Sequence, residues 1–261
     1  MTPTPPTGPV PDLSLVMPCY NEAGNLGYTI PRLVKAFQRG GYRLELIAVD
    51  NGSRDRTGEV LAELAREYAE VKPWTVEVNG GYGGGVLAGL EQATGPWVGS
   101  VAADGQVDAE DLVRLYEACV ASDGRVFGKV RRRFRMDGVI RKIISVGYNT
   151  FVFLLFPGLG SWDINGNPRL WPRWAMVEME LESTNWLVDP EMLIKAHYMG
   201  LRVLELNVFA RMRGNGLSHV RAATVWEFFV HLLGFRFSGR LSQWRRTHRP
   251  GSAPATSSPA A

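Results

Sequence analysis

Short apolar runs alternate with amphipathic helical stretches through the first hundred residues, and this alternation constrains the fold more than any other feature of the chain. The runs "LSLVMP" (13–18) and "RLELIAVD" (43–50) have the continuous apolar character of strands that are buried on both faces. The stretches that follow them, "NLGYTIPRLVKAFQ" and "RTGEVLAELAREYA", have helical spacing. Strands and helices in this order predict βαβ units and a parallel sheet flanked by helices.

Further elements continue the same pattern. We predict strands at "TVEVN" (75–79), "WVGSVAAD" (97–104) and "RVFGKV" (125–130), with helices over 84–93 and 110–122 between them. Downstream, "MVEMELES" and "DPEMLIKAHYMG" predict helices, "LRVLELNVFARMR" predicts a strand, and "TVWEFFVHLLGFRF" (224–237) predicts an amphipathic aromatic helix. No composition break separates these elements, so we expect a single domain over 12–220.

Basic residues are clustered, although the net charge is only +3. One block is "KVRRRFR" (129–135) with the nearby Arg141 and Lys142, and a second spans the arginines of 236–249. Both blocks adjoin aromatic and aliphatic stretches, which favours an anionic membrane surface over an ordinary solvated face. The uncharged segment 143–162 is just long enough to span a bilayer, but Pro157 would end the helix midway. We therefore expect a helix lying in the membrane interface.

The two ends of the chain and its cysteines bear on the compartment. The proline-rich start lacks the apolar run of a secretory signal, and we expect disorder at 1–11 and at 248–261. Cys19 and Cys119 match no disulfide or metal spacing, so we expect a reducing, cytoplasmic setting.

Polar and glycine residues gather where each of the first four predicted strands ends, at 18–22, 50–55, 79–85 and 104–108. Ligands of open α/β sheets bind beyond the carboxyl ends of the strands. One such group alone is ordinary turn chemistry, because Asn, Asp, Gly and Ser dominate turns. Four groups at the same edge predict a ligand site.

The ordered motifs "SLVMPCYNEAGNL", "LIAVDNGSRDRT", "NGGYGGGVLAGLEQATGPWV", "AADGQVDAED" and "RMRGNGLSH" resemble the family 2 glycosyltransferases of the GT-A fold. The similarity covers roughly 12–220 and is greatest to the dolichyl- and polyprenyl-phosphate sugar synthases. It implies a Rossmann-like, mostly parallel sheet with a nucleotide-sugar half over 12–110 and an acceptor half over 111–220. A membrane-surface amphipathic helix is then expected over 221–247.

The implied reaction is an inverting transfer of a sugar from GDP-mannose or a UDP-sugar to polyprenyl phosphate. It takes place at the cytoplasmic membrane face, where the enzyme is expected as a peripheral protein, with or without a membrane-protein partner. The resemblance implies a donor site formed by Pro18, Tyr20, Glu22, Asp50, Asn51, Gly81, Asp104 and Ser218. Simple structural roles are the alternatives: Tyr20 could pack in the core, Asp50 could form a turn at the end of a strand, and the glycine run could be a flexible turn.

The loop "AADGQVDAED" bears on metal use. By the resemblance Asp104 and Gln106 are the direct ligands of Mg²⁺ or Mn²⁺, while Ala102 stands where the family has a first Asp. These cations take hard oxygen ligands and keep several waters, so two protein ligands can suffice. The alternative for Asp104 is a turn residue before a helix that Asp108 caps.

The acceptor phosphate is expected at the first basic block, because arginine meets phosphate oxygens in bidentate fashion. The implied residues are Arg131, Arg133, Arg141 and Ser145. The first arginine position is ambiguous, since Arg132 lies between two of these candidates.

For catalysis the resemblance implies Asp163 as the acceptor-side carboxylate that orients or deprotonates the acceptor. It implies Arg213, near Ser218 and His219, as the cation that neutralises the leaving diphosphate. Asp189 and Glu191 are the second choice as a base, or ordinary helix-start acids. Two other functions stay open. One is transfer to a saccharide or lipid hydroxyl; the other is a non-catalytic binding protein whose metal site has degraded, as the departures at Ala102, Asn51 and His219 suggest.

Overall fold

The described parts of the polypeptide form one mixed sheet of seven strands. The structure is a computed structural model that describes residues 10–134, 139–209 and 222–248, without the side chains of 133–134, 139–144 and 222–226. Its strands are β1 (Leu13–Cys19), β2 (Leu44–Asn51), β3 (Val71–Val76), β4 (Trp97–Ser100), β5 (Val126–Phe134), β6 (Arg169–Pro172) and β7 (Arg202–Phe209). The order across the sheet is β3-β2-β1-β4-β6-β5-β7, and only β6 pairs antiparallel with its neighbours.

Helices cover both faces of this sheet. They are α1 (Ala23–Arg39), α2 (Thr57–Glu67), α3 (Gly81–Leu90), α4 (Ala109–Val120), α5 (Val139–Leu155), α6 (Arg173–Met179), α7 (Val188–Tyr198), α8 (Ala222–Phe237) and α9 (Gly239–Thr247). One apolar core joins the sheet to α1, α2 and α4, and a second joins it to α3 and α5–α9. The predicted mostly parallel α/β sheet flanked by helices is confirmed.

Strand register brings the predicted strand ends together. Cys19 at the end of β1 pairs with Asp50 near the end of β2, and Val16 pairs with Ser100 at the end of β4. Because these strands are parallel, the loops that follow them leave the sheet at one edge. The polar groups expected to form a ligand site therefore lie side by side.

Several boundaries differ from the sequence prediction. β3 begins at Val71 instead of Thr75, because this edge strand is largely exposed and contains Pro73, so its apolar pattern is weak. β4 ends at Ser100, which leaves 101–108 as a loop. α3 begins at Gly81, three residues early. β5 runs on to Phe134, so part of the basic block is strand.

Two elements depart more strongly from the prediction. β6 was not predicted, because its four residues carry too little pattern to distinguish a strand. The single helix expected over 221–247 is two helices, since the chain leaves helical geometry at Ser238 between α8 and α9.

The helix in the uncharged segment 143–162 ends before the proline of that segment, as predicted. α5 ends at Leu155, before Pro157, and its side chains pack on α8 through pairs such as Phe151 and Phe229, with ring centroids 4.8 Å apart. None of the helices in the described parts of the chain combines the length and the apolar character needed to cross a bilayer.

Candidate functional site

The loops after β1 and β2 are tied together by their own polar groups. Asn21 adopts a left-handed backbone (φ 54°), and its side-chain oxygen accepts the N–H of Arg54 at 2.8 Å. The N–H of Glu22 donates to Thr57 Oγ1 at 2.9 Å. Asp50 Oδ1 accepts the N–H of Ser53 at 3.0 Å. The predicted donor residues of these two loops therefore share one rigid frame.

Asp55 has a structural role at the start of α2. Its carboxylate accepts the N–H of Thr57 at 3.0 Å and the hydroxyl of the same residue at 2.5 Å, at the point where α2 begins. Burial raises the pKa of Asp55, but these hydrogen bonds outweigh it and hold the pKa below its ordinary value.

Asn51 connects the end of β2 to the glycine-rich turn. It is buried; its side-chain N–H donates to the carbonyl of Gly81 at 2.8 Å, and its oxygen accepts the N–H of Gly80 at 3.2 Å. An aspartate here would accept the second bond and repel the first carbonyl. These two hydrogen bonds explain why position 51 holds an asparagine and not a second acidic residue after Asp50. Contact between Asn51 and a nucleotide base stays a prediction.

Two glycines of α3, Gly81 and Gly83, are required by close backbone contact with the 183–185 segment. A Cβ atom on Gly83 would lie 2.2 Å from the carbonyl oxygen of Ser183, and one on Gly81 would lie 2.6 Å from that of Thr184. Gly81 also has φ +80°, which favours glycine. The N–H of Gly84 donates to the Thr184 carbonyl at 2.9 Å. The flexible-turn interpretation is wrong, because this turn is packed on both sides.

The loop after β4 carries the predicted metal ligands. Asp104 Oδ1 accepts the N–H of Gln106 at 3.1 Å, and Gly105 between them has φ +64°. Thr29 of α1 donates to the carbonyl of Ala103 at 3.1 Å and would be 2.9 Å from a Cβ on Gly105. The turn therefore has a fixed shape. Its carboxylate and amide oxygens are hard ligands of the type that Mg²⁺ and Mn²⁺ prefer.

No group of three or more His, Cys, Asp or Glu side chains suited to a metal ion occurs in the described residues. A metal at this edge would thus rest on one carboxylate, one amide and the oxygens of a bound phosphate. That donor set fits an ion that keeps several of its ligands from water or substrate.

Ala102 is tied to a residue that sequence reasoning missed. Its N–H donates to Asn167 Oδ1 at 2.9 Å, and Asn167 Nδ2 donates to the hydroxyl of Tyr82 at 3.4 Å. The Tyr82 hydroxyl in turn donates to Asp189, and burial, with the Asp189 charge, raises the pKa of Tyr82 well above its ordinary value. This chain of contacts links the loop after β4 to the first turn of α3.

Arg132 of β5 forms the strongest charged contact near this loop. Its Nε and one terminal nitrogen each lie 2.9 Å from an oxygen of Asp163, and its backbone N–H donates to the same carboxylate at 3.2 Å. Burial lowers the pKa of Arg132, but Asp163, Asp189 and Asp104 raise it above its ordinary value. Asp104 and Arg132 line one cavity of about 60 Å³, with Gln106 and Asn167.

Asp163 is an anion in this setting. Burial raises its pKa, but Arg132 and Lys129 outweigh burial and hold the pKa of Asp163 well below its usual range. The orienting part of its predicted role suits this geometry. The proton-accepting part does not, because a carboxylate held by two cations is a weak base.

Lys129 lies fully buried beneath that pair. Its ammonium donates to Ser161 Oγ at 2.9 Å and to the carbonyl of Asp163, and it lies 3.5 Å from a carboxylate oxygen of Glu205. Burial lowers the pKa of Lys129 to about 8, although Asp163 and Glu205 oppose that shift. Lys129 thus fixes the 161–163 turn against β7. Sequence reasoning missed it because one lysine within a basic block carries no sign of burial.

The two carboxylates predicted as second-choice bases are both held in buried ion pairs. Asp189 pairs with Arg169 of β6, and Glu191 lies 2.7 Å from Lys195 one turn along α7. Glu191 also accepts the backbone N–H of Glu182 at 3.2 Å and that of Ser183 at 3.0 Å. Both oxygens of Glu191 thus have partners within the chain, which does not favour a role as a base, and that role stays a prediction. Asp189 is likewise engaged, by Arg169 and Tyr82.

The acceptor-side candidates are only partly described. Arg131 lies over the ring of Trp162 at 5.3 Å, and Ser145 is half-buried on α5. The side chains of Arg133 and Arg141 lie outside the described residues, as do Arg213, Ser218 and His219. Of the two neighbouring arginines whose side chains are described, Arg132 lines the cavity with Asp104 and Arg131 does not, so Arg132 is favoured over Arg131 for the first phosphate-binding position.

The family model described as "Glycosyl transferase family 2" matches residues 14–192, which include both the donor loops and the Arg132–Asp163 pair. The chain belongs to glycosyl transferase family 2.

Relatives of this family 2 member include proteins that act on lipid phosphates. It is 37% identical over 146 residues to an undecaprenyl-phosphate 4-deoxy-4-formamido-L-arabinose transferase of Pectobacterium atrosepticum, covering 55% of the chain and 43% of that protein. It is 28% identical over 239 residues to a dolichol-phosphate mannosyltransferase of Pyrococcus furiosus, covering 89% of the chain and 64% of that protein. The chain thus spans less than two thirds of the length of these curated relatives.

Solved structures establish the fold of this family 2 member. Glucosyl-3-phosphoglycerate synthase from Mycobacterium tuberculosis, crystallised with Mn²⁺, UDP-glucose and phosphoglyceric acid, superposes with a TM-score of 0.67 at 18% identity. The superposition covers 87% of the chain and 79% of that protein. The predicted GT-A fold is confirmed.

Proposed function

We propose that this protein is an inverting glycosyltransferase that moves a sugar from a nucleotide diphosphate sugar to polyprenyl phosphate at the cytoplasmic face of a membrane. In this reaction a phosphate oxygen attacks the anomeric carbon. The bond from that carbon to the diphosphate breaks, and the nucleoside diphosphate leaves with the electron pair. The names of the relatives support a lipid-phosphate acceptor.

One observation carries the choice of a phosphate over a hydroxyl acceptor. Each of the three carboxylates considered as a base, Asp163, Asp189 and Glu191, is paired with a buried cation. A hydroxyl nucleophile needs a base to take its proton. A phosphate monoester is already ionised near neutral pH, because its second pKa is about 6. The arrangement suits an acceptor that brings its own charge.

We assign the acceptor phosphate to a position beside Arg132 and the start of α5. Arg132 is held in one orientation by Asp163 and by the carbonyl of Asn165 at 2.8 Å, so its guanidinium is preorganised. We assign Arg131, Arg133, Arg141 and Ser145 to the same phosphate or to neighbouring lipid phosphates. Generic attraction of a cation to anionic lipid adds about 1 kcal/mol per charge.

The donor nucleotide is assigned to the loops after β1, β2 and β4, with its diphosphate near the Asp104 turn. Asp104 and Gln106 would hold Mg²⁺ or Mn²⁺ there, and when bound the ion neutralises charge on the leaving diphosphate. The oxygen donors of the turn and the Mn²⁺ in a structure of the same fold support this. Arg213 and Ser218 are assigned to closing over the diphosphate, with His219 contributing when protonated.

Exposed apolar side chains support binding to the membrane surface. Leu154 of α5, Trp162 and Phe237 of α8 are 77%, 67% and 74% exposed, and Val146 and Val230 are exposed on the same two helices. Exposed apolar side chains near arginines are typical of a surface that binds lipid. We place the enzyme as a peripheral protein on the inner face, where anionic lipids attract basic residues.

The assay that tests this function uses purified full-length protein, a panel of radiolabelled UDP- and GDP-sugars, and undecaprenyl phosphate in detergent, with Mg²⁺, Mn²⁺ or EDTA. We expect lipid-extractable label with one donor in the presence of metal, and little with EDTA. Asp104→Ala and Gln106→Ala should each lower turnover at least about tenfold, and Asp108→Ala, which removes a carboxylate paired with Arg32, should lower it far less. No extractable label with any donor would overturn the proposal.

The same assay distinguishes the proposed function from two other functions. A transferase to a saccharide or lipid hydroxyl would label those acceptors and depend on Asp189 or Glu191. A non-catalytic nucleotide-sugar or membrane-binding protein would bind donor without turnover. The pairing of these carboxylates with cations argues against transfer to a hydroxyl. The ordered turn at Asp104, with oxygen ligands suited to a metal, argues against a non-catalytic protein.

A further inference from the structure

Glu191 occupies an unusual position for a carboxylate at the start of a helix. It is almost fully buried, and its two oxygens accept the backbone N–H groups of Glu182 and Ser183 at 3.2 and 3.0 Å. These residues belong to the irregular segment between α6 and α7. A buried carboxylate that accepts two backbone amides fixes the path of the segment that carries them.

Lys195 completes this arrangement. Its ammonium lies 2.7 Å from Glu191 Oε1 and donates to the carbonyl of Glu180 at 2.8 Å, so one cation holds both the carboxylate and the start of the segment. The ring of Trp244 in α9 covers the ammonium at 5.3 Å, and its indole N–H donates to the carbonyl of Glu178 at 3.0 Å. Glu191, Lys195 and Trp244 therefore each form a hydrogen bond to the backbone of 178–183.

The segment that Glu191 holds is the one that packs on the glycine turn. The carbonyl of Thr184 accepts the N–H of Gly84 at 2.9 Å, and the carbonyls of Ser183 and Asn185 lie where a Cβ on Gly83 would stand. A shift of this segment by an ångström would remove the contact that sets the first turn of α3.

Tyr82 connects the 183–186 segment to the loop after β4, which carries Asp104. Its ring stacks on Trp186 with centroids 4.5 Å apart, and its hydroxyl accepts a hydrogen bond from Asn167, which binds the N–H of Ala102. The first turn of α3 thus contacts the 183–186 segment on one side and, on the other, is linked through Asn167 to the loop after β4.

We propose that Glu191 is a positioning residue for the donor site: through Ser183 and Thr184 it sets the glycine turn and, through Tyr82, the loop that carries Asp104. The inference rests on the proposed function, because it assumes that these loops bind the nucleotide donor. It assigns to Glu191 no contact with substrate. Loss of its carboxylate charge should weaken donor binding and leave acceptor binding in place, because Arg132 and Asp163 lie on other elements.

The test measures binding of UDP and of GDP, each with Mn²⁺, to full-length protein by calorimetry, and the Michaelis constants for donor and for undecaprenyl phosphate. Glu191→Gln keeps the shape of the side chain but loses its charge, and one of the two amides then faces a donor. We expect the dissociation constant of the better nucleotide to rise about tenfold, with the acceptor constant changed less than about twofold. Glu191→Asp, which keeps the charge on a shorter side chain, should lie between.

Glu59→Gln is the matched control, since Glu59 is an exposed carboxylate on α2 in an ion pair with Arg56. It should alter neither constant. If Glu191→Gln does not fold, Glu191→Gln with Lys195→Met removes the unpaired buried cation while still depriving the amides of their carboxylate, and the same loss of donor binding is expected.

Unchanged nucleotide binding in a folded Glu191→Gln variant would overturn the inference and leave the proposed function intact. Equal weakening of donor and acceptor would also overturn it, because a general loss of structure has that effect. Failure of the wild-type protein to bind either nucleotide would overturn the proposed function, and the inference with it.

Discussion

Arg132 and Asp163 form a bidentate pair in which two guanidinium nitrogens each lie 2.9 Å from a carboxylate oxygen. The pair joins β5 to the turn that follows α5, and the Asp104 loop borders the same cavity. It therefore holds one arginine toward the place where the two substrates are proposed to meet, and it makes the carboxylate unsuited to removing a proton.

The acid sensitivity of the fold should depend on Asp163. Its pKa in the folded protein lies below the unfolded value of about 3.9, so its contribution to stability is present above that value and is lost as the pH falls through the folded pKa. We expect Asp163→Asn to lower the free energy of unfolding by about 3 kcal/mol near neutral pH.

That loss should shrink as the pH falls below about 4, because the carboxylate of the unfolded chain then takes up a proton, whereas the folded carboxylate does so only at lower pH. Urea denaturation of both proteins across this range measures the difference. A loss that does not vary with pH would mean that the charge of Asp163 contributes little.

Packing of the glycine turn should distinguish two adjacent glycines. A Cβ on Gly83 would lie 2.2 Å from a backbone carbonyl oxygen, whereas the nearest atom to a Cβ on Gly84 is 3.9 Å away. We expect Gly83→Ala to cost about 1–3 kcal/mol of stability through overpacking. Gly84→Ala should be neutral or should stabilise by up to about 1 kcal/mol, because alanine favours the helix. Thermal melting of the two variants in parallel checks this, and equal melting temperatures would contradict the contact.

The buried Lys129 should be coupled energetically to Glu205. The two charged groups are 3.5 Å apart, and Ser161 binds both. Lys129→Met alone should destabilise the protein by about 3–5 kcal/mol, because it leaves the carboxylate without its cation. Adding Glu205→Gln should cost less than the sum of the single changes, with an interaction energy of about 1–3 kcal/mol in a double-mutant cycle. Additive costs would show that the two residues act independently.

The exposed apolar side chains of α5 and α8 should determine membrane binding. We expect Leu154→Ser with Phe237→Ser to weaken binding to vesicles of phosphatidylglycerol at least about tenfold, since each side chain contributes about 1.5–3 kcal/mol when buried. Trp74→Ser is the control, because Trp74 is 43% exposed on β3 at the opposite edge of the sheet. Sedimentation with vesicles measures both, and equal binding by all three proteins would contradict this surface.

The sequence predicted the parallel sheet and the edge at which the site lies because both follow from local patterns. Continuous apolar runs marked β1 and β2, and polar residues after each strand marked the site. β6 was missed because four residues cannot show a period, and its antiparallel pairing depends on neighbours distant in the chain.

The charged contacts of the site were the least predictable part. The pair of Glu191 with Lys195 has the spacing of one helical turn, but the pair of Arg169 with Asp189 joins a strand to a helix and has no local sign. The choice of Arg132 over Arg131 depended on β5 extending through the basic block. Successive strand residues face opposite ways, and only one of the two lines the cavity.

Selection of a phosphate acceptor can be measured by comparing undecaprenyl phosphate with undecaprenol as acceptors for the same labelled sugar nucleotide. We predict transfer to the phosphate at least about a hundredfold faster, since the carboxylates that could serve a hydroxyl as base are held by Arg132, Arg169 and Lys195. Comparable rates with the two acceptors would contradict the account.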